Sequence, residues 1–247
     1  MHRILIINGS FRKKNTFSIL KKIEDSLSGN EIDFVNIKDF NIKPCTGCET
    51  CLKKGFCPIN DDCNKVFEKM VKADGIIIGN PVYLRQLSGY LKILFDRACS
   101  WYHRTPLYGK PVFLVSTTQA SGLNSTDKLL HDITDQWGMI YTGSVLSSVF
   151  NRNKILSDES NWLKKFNFYL DSKNKRYYRP SFKMIFEFST QKMLAKNVLT
   201  LDKEYWNEKK WFSMPYYYKC RINPLKKLTS LIFYKIGSHF IGKSMKK

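Results

Sequence analysis

The first 150 residues predict an α/β fold on a doubly wound, five-stranded parallel sheet, and residues 151–247 predict a helical C-terminal extension. Three observations predict it. Apolar runs of strand length alternate with helix-periodic stretches up to residue 150. The first run, Ile4-Leu5-Ile6-Ile7, is apolar at every position, as a strand covered on both faces must be. Beyond residue 150 the strand signal gives way to helical stretches rich in aromatic residues and lysine.

The elements follow in order. After the strand at 4–7, a helix starts near Thr16, because Phe17, Leu20, Ile23 and Leu27 recur at three- and four-residue steps, and Gly29-Asn30 stops it. Residues 32–37 alternate apolar with polar positions and read as the second strand. A cysteine-rich loop over 45–63 comes next, then a helix opened by Asp61-Asp62 with Val66, Met70 and Val71 as its apolar stripe. Residues 73–79 make the third strand, 87–98 a helix carrying Leu91, Leu94 and Phe95 on one face, and 111–116 the fourth strand. Ser125-Thr126 caps a helix with Leu129, Leu130 and Ile133, and 139–146 closes the fifth strand. Right-handed crossovers then bring the loops after strands one, three and four to one sheet edge, where a doubly wound sheet takes its ligand.

In the extension, candidate helices span 161–170, 181–196, 202–211 and 224–240. Phe166, Phe168, Tyr169, Phe182, Phe186, Tyr205, Trp206, Trp211 and Phe212 argue for an ordered unit, since so many rings suit a solvated tail poorly. The net charge of +20 is concentrated here: residues 151–247 hold 22 Lys and Arg against 7 Asp and Glu. Such a field attracts anionic partners without specifying one. The lysine-ended amphipathic segment 225–241 admits peripheral membrane contact. Aromatics interleaved with Lys and Arg over 211–221 admit base stacking, but no RNA-binding signature accompanies them, and nucleic acid is not expected. Packing against the first unit or a second subunit is the main reading. No apolar run approaches the roughly 20 residues that span a bilayer, and the chain opens without a leader-like pattern, so the expected location is cytoplasmic. Seven cysteines are there thiols or metal ligands rather than a disulfide framework.

Four of them fall in the run Cys45-x2-Cys48-x2-Cys51-x5-Cys57. Two-residue spacings let the chain wrap a corner of a compact inorganic cube, which suits an iron–sulfur cluster, with [4Fe–4S] favoured. A structural zinc site draws on two separated knuckles, and three thiolates in seven residues would crowd one face of a single ion. Zinc, and redox-active thiols without metal, remain the alternatives. Cys63 reads as a small buried hydrophobe, and Cys99 and Cys220 as buried or unremarkable thiols. His2, His103, His131 and His239 are scattered without ligand spacing.

After the first strand, Asn8-Gly9-Ser10-Phe11-Arg12-Lys13-Lys14-Asn15-Thr16 leads into a helix. Gly9 permits a tight turn, Ser10 and Thr16 offer hydroxyls, Arg12 a planar charged fork, and the helix start unpaired N–H groups, which together cradle a phosphate. An ordinary capped turn is the alternative. Neither the P-loop nor the dinucleotide glycine pattern is present. Asn80-Pro81-Val82-Tyr83-Leu84 after the third strand and 117–122 after the fourth complete an edge suited to a flat heteroaromatic.

In order, Gly9-Ser10-x-Arg12 with Asn15-Thr16, the cysteine run, Asp61-Asp62, Ala73-Asp-Gly-Ile-Ile-Ile, Asn80-Pro-Val-Tyr83, and Ser88-Gly-x-Leu-Lys92 with Phe95-Asp96-Arg97 resemble the NADPH-dependent FMN reductase family. Within it they look most like the iron–sulfur flavoproteins of anaerobes. The resemblance covers residues 1–150 and implies a flavodoxin-like fold with strand order 2-1-3-4-5, bound FMN, and a homodimer or higher homo-oligomer. Carried over by position, Ser10, Arg12, Asn15 and Thr16 would hold the FMN phosphate. Pro81, Val82, Tyr83 and Leu84 would flank the ring and ribityl chain, and Thr117, Thr118, Gln119 and Gly122 would cover the isoalloxazine edge. Cys45, Cys48, Cys51 and Cys57 would hold the cluster, close to the flavin. The expected function is FMN-dependent oxidoreduction between NAD(P)H or a ferredoxin-type donor and a small-molecule or protein acceptor. The chemistry resides on the flavin, so no catalytic side chain is assigned. The alternative is a non-enzymatic binding module whose basic, aromatic extension meets nucleic acid or a membrane surface.

Overall fold

A computed structural model of the chain describes residues 1–151 and 161–244, with side chains as far as 239. Residues 152–160, early in the predicted extension, and 245–247 at the end of the chain lie outside the described residues. Five parallel strands run in the order β2-β1-β3-β4-β5: β1 Arg3–Asn8, β2 Glu31–Asn36, β3 Gly75–Pro81, β4 Pro111–Thr117 and β5 Ile140–Ser147. β3 and β4 are buried at every position, as is β1 after Arg3, whereas the edge strands β2 and β5 are only partly buried. Sequence pattern and sheet position therefore agree, because only a central strand covered on both faces needs an unbroken apolar run.

The strands' two-residue period sorts the core into two layers. Leu5, Ile7, Ile76, Ile78, Val112 and Leu114 face α3 (Cys63–Lys72), α4 (Gly89–Arg97) and α5 (Leu123–Gln136). Ile4, Ile6, Ile77, Phe113 and Val115 face the other way, onto Ile19, Leu20 and Ile23 of α1 (Asn15–Ser26). A short helix, α2 (Thr50–Lys54), lies within the cysteine loop. The predicted elements are present with ends moved by a few residues. One start is different in kind: α5 begins after Gly122, whose φ of +94 reverses the chain, and Ser125 lies inside the first turn, donating from Oγ to the Gly122 carbonyl at 3.1 Å.

In the extension, α6 (Lys164–Leu170) places Phe166 and Leu170 against the sheet on the α1 side. A Cβ on Gly75 would stand 2.7 Å from atoms of both, so a glycine at the start of β3 lets that helix sit close. α7 (Phe182–Asn197) is capped by Ser181, whose Oγ accepts from Met184 N at 3.2 Å. It packs with α8 (Thr200–Glu208) and α9 (Pro224–Ser244). Met184, Ile185, Phe188, Trp206, Trp211, Tyr216 and Tyr217 form a third apolar cluster. These tryptophans and tyrosines are core, so they offer no platform for bases, and the nucleic-acid form of the binding-module alternative loses its stacking surface. α9 packs Phe233 on Phe186 with ring centroids 3.8 Å apart and leaves Leu225, Leu228, Leu231, Ile232 and Ile236 exposed. No helix among the described residues is long and apolar enough to cross a membrane.

Candidate functional site

The loop after β1 is built around Gly9. Its N–H donates to Gly79 O at 2.8 Å, its carbonyl accepts from Ser88 Oγ at 2.8 Å, and a Cβ there would stand 2.9 Å from Gly79 O. Asn8 locks the turn from beneath: its Oδ1 accepts from Ser10 N at 3.1 Å and its Nδ2 donates to Asn36 Oδ1 at 3.0 Å. The α1 start that follows carries no side-chain cap, so its first N–H groups lack a side-chain acceptor and point out of the helix end.

A cavity of about 370 Å³ opens at this sheet edge, within the ~300–1,000 Å³ usual for small-molecule sites. Every predicted flavin-site residue except Gly122 lines it. Ser10, Arg12, Asn15 and Thr16 come from the first loop, Pro81, Val82, Tyr83 and Leu84 from the second, and Thr117, Thr118 and Gln119 from the third. Ala120 and Ser121 line it from the expected 117–122 edge, and Lys14 and Arg85 join them without having been assigned a role from the sequence. Two hydroxyls already have partners within the chain: Ser10 Oγ accepts from Arg12 N at 3.2 Å, and Thr16 Oγ1 lies 2.7 Å from Thr117 Oγ1, joining the first and third loops.

The second loop holds a backbone outlier. Tyr83 and Gln86 exchange both N–H···O bonds, at 3.2 and 2.9 Å, around Leu84 at φ 47 and Arg85 at φ 63. A two-residue turn with both central φ values positive normally takes Asn-Gly or Gly-Gly, and each bulky residue there stores about 1–2 kcal/mol. Gly122 braces it: its absent Cβ would stand 2.7 Å from Arg85 Cα. The turn leaves Tyr83 43% and Leu84 98% exposed. Nothing in the residue types announced it.

The predicted metal ligands gather in a separate, smaller cavity of about 70 Å³. Cys45, Cys48, Cys51 and Cys57 all line it, and so do Arg97 and Cys99. Arg97 and Asp61, whose side chains are each 1% exposed, form a two-pronged ion pair beneath the loop. The guanidinium also donates to Lys43 O at 2.9 Å, and Asp61 accepts from Lys43 N at 2.9 Å and Cys63 N at 3.0 Å. One ion pair thus pins the chain on both sides of the cysteine run. Burial opposes ionisation of Asp61, but Arg97 and the two N–H groups hold its carboxyl below the usual range. Cys63 lies in the core, and burial pushes its thiol up to about 12, in keeping with a packing role. Cys99, expected as a buried or unremarkable thiol, is exposed as a residue and stands against Cys51, whose Sγ is 3.4 Å away; partial desolvation and then Cys51 push its thiol up to about 12. Among the described residues no three His, Cys, Asp or Glu side chains converge on a single ion position. Four thiols lining one cavity are the donor set that an iron–sulfur cluster takes, and a tetrahedral zinc ion takes the same number.

The two cavities share no lining residue. Ser88, at the start of α4, is bonded to the first loop, whereas Arg97, at its end, lines the cysteine cavity, about 13 Å along the helix at 1.5 Å per residue. The loop leaves β2 through Ile37 and Ile42, which pack in the same core cluster as Leu91 and Leu94 of α4.

The extension supports a wall of this second cavity through Arg104. Asp202 of α8, 1% exposed, pairs with Arg104 and lies 3.2 Å from His103 Nδ1. Arg104 in turn donates to Cys51 O at 2.6 Å. Trp206 Nε1 donates to His103 O and Tyr205 OH to Thr105 O, each at 2.9 Å.

A family model described as NADPH-dependent FMN reductase matches residues 2–152. An iron-sulfur flavoprotein of Archaeoglobus fulgidus is 44% identical over 98 residues, covering 39% of this chain and 48% of that protein. An iron-sulfur flavoprotein of Clostridioides difficile is 31% identical over 159 residues, covering 62% of this chain and 70% of that protein. The chain spans about half the length of several curated relatives it matches. Among solved structures, RosB with bound 8-demethyl-8-formylriboflavin-5'-phosphate gives a TM-score of 0.54 at 14% identity, covering 91% of this chain and 92% of that one, a likeness of fold.

Proposed function

The chain belongs to the NADPH-dependent FMN reductase family and has a flavodoxin-like fold, and from this premise we propose that it is an FMN-dependent oxidoreductase carrying a [4Fe–4S] cluster. The observation that carries the reading is the single cavity into which three strand-end loops bring all but one of the residues expected to hold FMN. Bound FMN supplies a hydride acceptor and a carrier of one or two electrons. Arg12, Lys14 and the uncapped α1 N–H groups hold its phosphate, and Ser10, Asn15 and Thr16 shape the cradle. Tyr83 offers a ring face beside the slot, and 117–121 close its edge with polar groups. Cys45, Cys48, Cys51 and Cys57 hold the cluster, and the Arg97 guanidinium offsets part of the negative charge four thiolates gather. NAD(P)H or a ferredoxin-type protein is the donor, a small molecule or protein the acceptor, a homodimer or higher homo-oligomer the working assembly, and the reducing cytoplasm the place where the cysteines stay out of disulfides. Residues 1–150 form the FMN-binding unit, and the described part of the extension braces it.

The test is anaerobic purification followed by an ultraviolet–visible spectrum, with flavin, iron and sulfide quantified on one sample. One FMN with four iron and four sulfide per chain is expected. A colourless protein that takes up no added FMN would sink the reading, and flavin without iron would remove the cluster from it.

Gly122→Ala tests the brace of the second loop. Its Cβ meets Arg85 backbone at a φ already costly for alanine, so a loss of about 1–3 kcal/mol and weaker FMN binding are expected. Gly29→Ala is the control, since Gly29 sits at φ +90 with nothing within 4 Å: it should lose stability but keep its FMN affinity in a fluorescence titration.

A further inference from the structure

Five cysteines, not four, line the small cavity. The fifth, Cys99, opens the turn of 3-10 helix Cys99–Tyr102 that follows α4, two residues beyond Arg97. Its sulfur lies 3.4 Å from that of Cys51, and among the described residues no other pair of cysteine sulfurs is in hydrogen-bond contact. The pair is not a product of short spacing, as a Cys-x2-Cys pair would be: 48 residues separate its members. The fold brings them together through contacts of its own. Arg97 holds the loop to the end of α4 through Asp61 and Lys43, and Arg104 grips the Cys51 carbonyl from the far side of the same turn. Cys99 is exposed and Cys51 half-buried, so a small reagent reaches both.

We propose that Cys51 and Cys99 form a reversible disulfide when the cluster is absent, so that Cys51 alternates between cluster ligand and disulfide partner. The inference rests on the reading of Cys51 as a ligand. The oxidant is a small-molecule disulfide. One thiol attacks it, forming a mixed disulfide and releasing one reagent thiol. The second thiol then attacks the protein sulfur, the Cys51–Cys99 bond forms, and the second reagent thiol leaves. Two protein thiols are oxidised by two electrons, one reagent disulfide is reduced to two thiols, and the protons go with them. From contact distance, side-chain rotation and a small approach of α2 toward the 3-10 turn after α4 close the bond. A closed bond withdraws one of the four cluster ligands. Oxidation therefore blocks cluster assembly, and a thiol reductant restores it.

The experiment strips iron from the full chain with a chelator under anaerobic conditions, treats it with oxidised glutathione, alkylates, and maps linked peptides after cleavage at Glu49 and at lysine and arginine. That cleavage separates Cys51 from Cys45 and Cys48. The expected result is a dominant Cys51–Cys99 link, with uptake of added iron and sulfide reduced about tenfold until dithiothreitol is supplied. Cys99→Ser should lack the link, bind iron as the reduced wild type does, and reassemble its cluster after glutathione treatment without reductant. Alkylated Cys99 in the oxidised wild type, a dominant link from Cys51 to Cys45, Cys48 or Cys57, or equal inhibition of Cys99→Ser would each overturn the proposal. If the reduced wild-type chain takes up no iron, the ligand reading fails by itself, while the peptide map still decides whether the disulfide forms.

Discussion

Arg97→Met is expected to destabilise the protein by about 3–5 kcal/mol and to release the cysteine loop, because it strands the Asp61 carboxylate in a site where the side chain is 1% exposed. The methionine matches the arginine stem in volume but offers nothing to Asp61, Lys43 O or the loop behind them. Asp61→Leu alone strands the opposite charge and should cost a comparable amount. The double variant should recover much of the loss, since no uncompensated charge then remains. Urea denaturation of the three proteins measures this, with bound iron counted alongside. The pH dependence has a definite sign. Arg97 and two N–H groups hold the Asp61 pKa below its unfolded value despite burial, so the pair's stabilisation is complete above the unfolded value of about 3.9 and is lost as pH falls through the folded value. Wild type and Arg97→Met should therefore differ most at neutral pH and converge below about pH 4. A constant gap across that window would mean that the guanidinium acts by packing and not by charge.

Apolar runs in the sequence sufficed for the sheet because β1, β3 and β4 are covered on both faces, and the cavity proposed for FMN was legible because its lining residues adjoin those runs. What escaped was tertiary. Cys99 lies 42 residues past Cys57, and no spacing rule joins them; the link is the Arg97–Asp61 pair, visible only when α4 is laid beside the loop. Leu84-Arg85 carries neither glycine nor asparagine, so its positive φ values contradict the usual turn chemistry and are held by Gly122, which the sequence assigned to the ring edge. Ser125 looked like a cap, yet Gly122 starts α5. The docking of the cysteine loop on α4 follows from Ile37 and Ile42 burying in the α4 layer, which apolar periodicity alone does not reveal.

Asp202→Ala should reach the cysteine cavity from the extension. Asp202 is buried, and its loss leaves the Arg104 guanidinium, 11% exposed, without its carboxylate, at a cost of about 3–5 kcal/mol. Arg104 is also the donor to Cys51 O, and to Leu52 O at 3.4 Å, so a guanidinium that shifts toward water takes the support of α2 with it. Trp206 Nε1 and Tyr205 OH keep their bonds to His103 O and Thr105 O, so the extension stays docked and the effect should be local. The expected signature is faster amide hydrogen exchange over 50–54 and faster iron loss to a chelator, with exchange in β3 and β4 changed only by the global destabilisation. Asp202→Asn keeps a hydrogen-bond acceptor for Arg104 and should fall between the two proteins. Lys203→Ala, exposed on the same helix, should leave all three readouts unchanged. A lower denaturation midpoint with unaltered exchange over 50–54 would mean that the extension stabilises the sheet domain without governing the thiol loop, and the chain from Asp202 through Arg104 to Cys51 would carry no mechanical load.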